Sequence, residues 1–137
     1  MTRTEAPQAA ETWTGAPDLR PLLRPLGALT QDPKNLRLHP ERNLASIRAS
    51  LASHGQQKPV VVRGGTVVAG NGTLEVARLL GWTHLAAVEF TGDEGQARAF
   101  GIADTRSAEQ AYWDTPALAD ALREAEAAGN LLATGFP

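Results

Sequence analysis

The chain has 137 residues, 13 lysines and arginines against 15 aspartates and glutamates, a net charge of −2 and no cysteine. The missing thiol excludes a disulfide framework, a thiolate zinc site and a cysteine nucleophile, and the acidic balance excludes DNA wrapping driven by a basic excess alone. The length suits one domain with a modest core, and no apolar run reaches the ~18 residues that span a bilayer, so a cytoplasmic protein with no membrane partner is expected.

Residues 1–18 combine Pro7, Gly15 and Pro17 with small polar side chains and read as a flexible tail, with the folded domain over 19–137. Trp13 is either a stray exposed aromatic or an anchor that packs this tail onto the domain. Pro21 to Leu26 reads as an extended edge segment, because its prolines cannot donate to a ladder.

Residues 41–54 carry Leu44, Ile47 and Leu51 at helical spacing, and Gly55 stands where that helix stops. Pro59 to Arg63 reads as a strand, Gly64-Gly65 as a hairpin turn with positive φ available at both positions, and Thr66 to Ala69 as the antiparallel return. Leu85 to Phe90 is a third strand. Residues 93–103 and 115–128 read as helices that begin near acidic or hydroxyl side chains. The closing run Leu131-Leu132-Ala133 with Phe136 either closes the domain's own core or forms an interface for self-association. The fold class is α/β: a small mixed, mostly antiparallel sheet with helices packed on it.

The most informative stretch runs from Val67 to Gly81. Val67 and Val68 suit a strand, Gly70 and Gly72 permit a sharp turn, and Leu74, Ala77 and Leu80 recur at helical spacing. A helix that opens inside such a turn offers free N–H groups and the positive end of its dipole to an anion. The turn has neither the lysine of a P-loop nor the third glycine of a dinucleotide fingerprint.

The order of motifs extends this reading. Asn35-Leu36-Arg37 precedes His39-Pro40, then the helix, then His54-Gly55-Gln56-Gln57-Lys58-Pro59, the strand, and Ala69-Gly70-Asn71-Gly72. Ile102-Ala103-Asp104-Thr105-Arg106-Ser107-Ala108-Glu109 follows. This order resembles the ParB/sulfiredoxin superfamily over about residues 20–135, and most of all the ParB-like N-terminal domains, sometimes labelled nucleases, found beside phage and mobile-element DNA methyltransferases. The resemblance implies a nucleotide pocket built from Asn35 and Arg37, Gln57 and Lys58, and Gly70, Asn71, Gly72 and Thr73, with Arg106 as a further phosphate ligand.

Each residue type has a job it can do there. Turn amides cradle a phosphate, Thr73 offers a hydroxyl donor or a helix cap, and Arg37 forks onto phosphate oxygens. Gln57 can read a base edge with its amide, and Lys58 is held extended by the proline that follows it. Plainer roles stand beside these: Asn35 as a turn residue, Asn71 as the left-handed residue of the turn, Arg106 in a local ion pair with Asp104. Asp104 with Glu109 could hold one magnesium through water. His39, His54 and His84 show no metal spacing, although His39 could sit at the site mouth.

The departures from the family narrow its chemistry. Sulfiredoxins carry Cys-His-Arg in this turn, and chromosome-segregation ParB proteins carry Glu-Arg-Arg. Here the positions look like Asn71, Gly72 and Thr73, so sulfiredoxin chemistry is excluded and the strongest triphosphate ligands are missing. No helix-turn-helix follows. The expected function is a nucleotide- or nucleic-acid-associated accessory domain in DNA modification or processing, with a nucleoside triphosphate and Mg as ligands. DNA (weakly and without sequence preference), a methyltransferase or a second copy are the expected partners. The alternatives are a small Mg-dependent NTP hydrolase, phosphotransferase or nuclease, and a docking module for a methyltransferase.

Overall fold

The computed structural model describes residues 12–34 and 38–136. Among these residues five strands form one sheet: β1 (Leu23–Pro25), β2 (Thr30–Gln31), β3 (Val60–Arg63), β4 (Thr66–Ala69) and β5 (His84–Glu89), in the order β1-β5-β3-β4-β2. Among the described residues four helices accompany it: α1 (Glu41–His54), α2 (Asn71–Leu79), α3 (Glu94–Gln110) and α4 (Thr115–Ala127). The α/β class and the mixed sheet are as the sequence implies. β3–β4 and β1–β5 pair antiparallel, and β3–β5 and β2–β4 pair parallel.

The hairpin between β3 and β4 turns on Gly64 and Gly65, at φ of 58° and 88°. A left-handed backbone at both positions gives the twist that joins two strands tightly. The parallel neighbour of β3 cannot be reached by a hairpin, so the chain crosses through α2 before it enters β5. That crossover buries Leu74 and Ala77 of α2 against Val60, Val62, Val67, Leu85 and Ala87 of the sheet, together with Leu29.

β5 is buried on both faces. Leu85 and Ala87 belong to the main core, while Ala86 joins a second cluster with Trp13 and Leu19. Successive strand residues point to opposite faces, so one strand serves two cores. Trp82 packs against both clusters.

Three expectations change. Residues 12–18, read as tail, are packed structure: Trp13 is 2% exposed and sits against the sheet. The Pro21–Leu26 segment is only partly extended. A 3-10 turn over Pro17–Leu22 leads into β1, which holds an edge of the sheet with Pro25 at its end, and Leu26–Ala28 is a second such turn. The helix expected over 93–103 runs on to Gln110, started by a capping box in which Asp93 Oδ1 accepts from the Gln96 N–H at 2.8 Å and Gln96 Oε1 accepts from the Asp93 N–H at 2.8 Å.

The C-terminal run folds back on α1. Ser46 Oγ donates to the Gly135 carbonyl at 3.4 Å, His54 Nε2 donates to the Ala133 carbonyl at 3.2 Å, and Phe136 meets the edge of Trp113 at 5.8 Å between centroids. Leu132 stays exposed. Trp13 lies in a separate cluster and shares no surface with this run.

Candidate functional site

α2 begins without a cap. Its N-cap residue is Gly70, at φ 107°, which has no side chain to accept from the first turn. The left-handed residue is therefore Gly70 and not Asn71. A Cβ at Gly70 would stand 2.5 Å from Val60 Cγ1, so both the dihedral and the contact with β3 call for glycine. The first amides of a helix have no partner inside it. Here they open on a cleft.

The cleft measures about 300 Å³. One wall is Lys58, Pro59, Val60 and Val61, leading into and along β3; the floor is Ala69 to Thr73 at the end of β4 and the start of α2. His39 and Ile47 close one side, and Gly101, Asp104 and Thr105 of α3 close the other. A volume of this size admits a small polar ligand. Its lining sets Lys58, Thr73, His39 and Asp104 beside the start of α2.

Two glycines set the width. A Cβ on Gly72 would fall 2.8 Å from both His39 Cε1 and Ile47 Cδ1. A Cβ on Gly101 would fall 3.0 Å from the Val68 carbonyl oxygen, so α3 crosses β4 at nearly the closest approach a helix can make. His39 Nδ1 lies 2.7 Å from Asn43 Oδ1. With oxygen in that place, Nδ1 carries the proton and Nε2 is the free ring atom.

The expected site residues divide accordingly. Gly70, Gly72, Thr73 and Lys58 line the cleft. Thr73 does not cap α2. Asn71 lines the cleft through its position but not with a free side chain: it is 5% exposed, its Oδ1 accepts from the Asp32 N–H at 3.2 Å, and its Nδ2 donates to the Val67 carbonyl at 3.1 Å. Asn71 ties the segment after β2 to the turn. Gln57 is exposed and donates to the His54 carbonyl at 2.7 Å, satisfying the end of α1 rather than reaching the cleft. Asn35 and Arg37 lie outside the described residues.

On α3 the sequence reading is corrected. Arg106 is not part of the cleft lining and pairs with Glu109 at 3.5 Å on the exposed side. Asp104 and Glu109 are five residues apart on one helix, which separates them by about 140° around its axis. They do not meet as a metal pair, and among the described residues no group of three His, Asp or Glu side chains forms a metal site. Asp104 alone faces the cleft.

The buried residue of the glutamine pair is Gln56, for which the motif order implies no role. It is 1% exposed and fully bonded, while its neighbour Gln57 points to solvent. Along an extended segment adjacent residues face opposite ways, so two glutamines in sequence cannot share a role. Gly101 had a signal of its own: an isolated glycine inside a helical pattern marks close packing.

No family model matches the chain, and no curated protein matches it. Solved structures do. The C-terminally truncated chromosome-partitioning protein ParB from Caulobacter crescentus, complexed with CTP-gamma-S, is similar with a TM-score of 0.71 and 19% identity, over 84% of this chain and 71% of that one. The fold is ParB-like. The same truncated protein complexed to the centromeric parS site aligns with a TM-score of 0.49 and 23% identity, over 58% of this chain and 44% of that one. No described helix is long and apolar enough to cross a membrane.

Proposed function

We propose that this ParB-like domain binds a nucleoside triphosphate in the cleft at the start of α2. It would act as an accessory to DNA modification or processing of the phage or mobile-element type, in the cytoplasm. The observation that carries the reading is the uncapped first turn of α2, opening on a cleft that also holds Lys58, Thr73 and Asp104. Backbone amides at a helix start, a hydroxyl and an ammonium together form a phosphate cradle. The similar ParB structure was solved with CTP-gamma-S, which makes CTP the first nucleotide to test.

Gly72 and Thr73 stand where the family's phosphate-gripping arginines are expected, so affinity is lower than two arginine forks would give. Magnesium fits one arrangement: held by the triphosphate with Asp104 as the single protein carboxylate, directly or through water. The ion would supply charge neutralisation at the phosphates. Asp104 also keeps a hydrolase reading in play, because a wall carboxylate can orient a water molecule.

DNA binding is weak and independent of sequence, given the net charge of −2. A methyltransferase or a second copy remains the proposed protein partner. A thermal-shift screen of nucleotides with and without magnesium tests the central reading: CTP raises the melting temperature by more than sulfate does at equal ionic strength. A melting curve unmoved by every nucleotide defeats it. Phosphate release on incubation separates a hydrolase from a binding domain.

A further inference from the structure

The segment Thr12 to Ala16 runs beside Gln56 through a single parallel bridge between Gly15 and Gln56. The Gln56 N–H donates to the Thr14 carbonyl at 2.8 Å, and the Ala16 N–H donates to the Gln56 carbonyl at 2.9 Å. The Gln56 side chain is equally committed. Its Oε1 accepts from Trp13 Nε1 at 2.8 Å and from the Ala86 N–H at 2.8 Å. Its Nε2 donates to the Ala86 carbonyl at 2.9 Å and to the Lys58 carbonyl at 3.0 Å. Every donor and acceptor position of this carboxamide is filled.

One of those bonds reaches the cleft. Lys58 lines it and leads directly into Pro59, Val60 and Val61 of the same wall. A single amide group therefore grips the Trp13 indole on one side and the Lys58 main chain on the other. The seat has no slack. A Cβ on Gly15 would meet the Gln56 carbonyl oxygen at 2.4 Å, and a Cβ on Gly55 would meet the Gly15 nitrogen at 2.7 Å. The strap is either fully seated or displaced, as close-packed elements usually are.

We propose that Trp13 is a positioning residue for the cleft: the strap Thr12–Ala16, seated through Trp13 and Gln56, fixes the main chain at Lys58 and so sets the affinity for the bound triphosphate. The ligand in this statement rests on the nucleotide reading above; the coupling between strap and wall rests on the geometry alone. Coupling of this kind is reciprocal, so the ligand must also tighten the strap.

The test uses the full chain and two variants. Trp13→Phe keeps an aromatic ring and removes the indole N–H; Gly15→Ala unseats the strap by driving a methyl into the Gln56 main chain and the Trp13 ring, and leaves both of those side chains chemically unaltered. Amide hydrogen exchange is read at Val60 and Val61, the part of the cleft wall paired within the sheet, with Val67 and Leu74 as internal references, and CTP with magnesium is titrated well below the melting temperature. Exchange at Val60 and Val61 rises about tenfold more than at the references, and the Kd for CTP rises about tenfold, the size expected from one buried hydrogen bond. In the unaltered protein, CTP slows exchange at Ala16 and Gln56, a readout that needs no variant.

Exchange that rises equally everywhere, or an unchanged Kd in Trp13→Phe, overturns the proposal and leaves Trp13 a core residue only. If the unaltered protein binds no CTP, the nucleotide reading fails separately. The exchange contrast then decides the coupling by itself: a selective rise at Val60 and Val61 upholds it, and a uniform rise overturns it.

Discussion

Gly72 lies directly under the imidazole of His39, so close that a Cβ would stand 2.8 Å from Cε1 and 2.9 Å from Nδ1. The residue that shapes the floor of the cleft is thus matched to the residue that closes its side, 33 positions earlier in the chain. Gly72→Ala must push the ring or Ile47 aside. Overpacking of this sort costs about 1–3 kcal/mol, and urea denaturation should show a loss in that range. Nucleotide binding should weaken at the same time, because the displaced ring moves into the cleft.

Asn71→Ala tests a different part of the turn. It leaves the Asp32 N–H and the Val67 carbonyl without their partner inside the protein. An unsatisfied buried polar group costs about 1–3 kcal/mol. The variant should lose stability of that order in chemical denaturation. Asn71→Asp should recover only part of it, since a carboxylate can accept from Asp32 but cannot donate to Val67.

Much of this arrangement was legible in the sequence, for physical reasons that differ by element. The Gly64-Gly65 hairpin and the strand-turn-helix from Val67 are local, and local chemistry dictates them. α1 announced itself by Leu44, Ile47, Leu51 and the Gly55 stop. The misses are contacts between distant segments. Nothing near Trp13 in sequence shows that Gln56 waits 43 residues away to take its indole N–H. Gln57 was assigned to the ligand because the motif counts residues but does not say which face each one takes. The pairing of Asp104 with Glu109 failed on helix phase, a fact visible only once α3 was seen to run unbroken to Gln110.

The hairpin carries a pH dependence. Glu89 Oε2 accepts from the Gly64 N–H at 2.7 Å, and its Oε1 accepts from Arg24 at 3.2 Å. The Gly64 bond, then the Arg24 bond and charge, hold the carboxyl below its ordinary value. A folded-state pKa below the unfolded one stabilises the fold above the unfolded pKa, and that contribution disappears as pH falls through the folded value. The difference in melting temperature between the native protein and Glu89→Gln should be present at neutral pH and vanish in the acid range. A difference that grows on acidification would contradict the assignment.

Lys58→Ala should leave the melting temperature nearly unchanged, because Lys58 is exposed. It should weaken CTP binding and flatten its salt dependence, since a point charge on a phosphate is screened by ions. Arg106→Ala, which removes only an exposed pair with Glu109, should leave CTP affinity unaltered.

The most direct measurement is a CTP–magnesium titration followed by amide nuclear magnetic resonance. A triphosphate cradled by the first turn of α2 shifts the Asn71, Gly72 and Thr73 amides most, with Lys58 next and the amides of α4 unmoved. Amides of that turn that stay in place through saturation, or a response centred on another face of the domain, would contradict the nucleotide site.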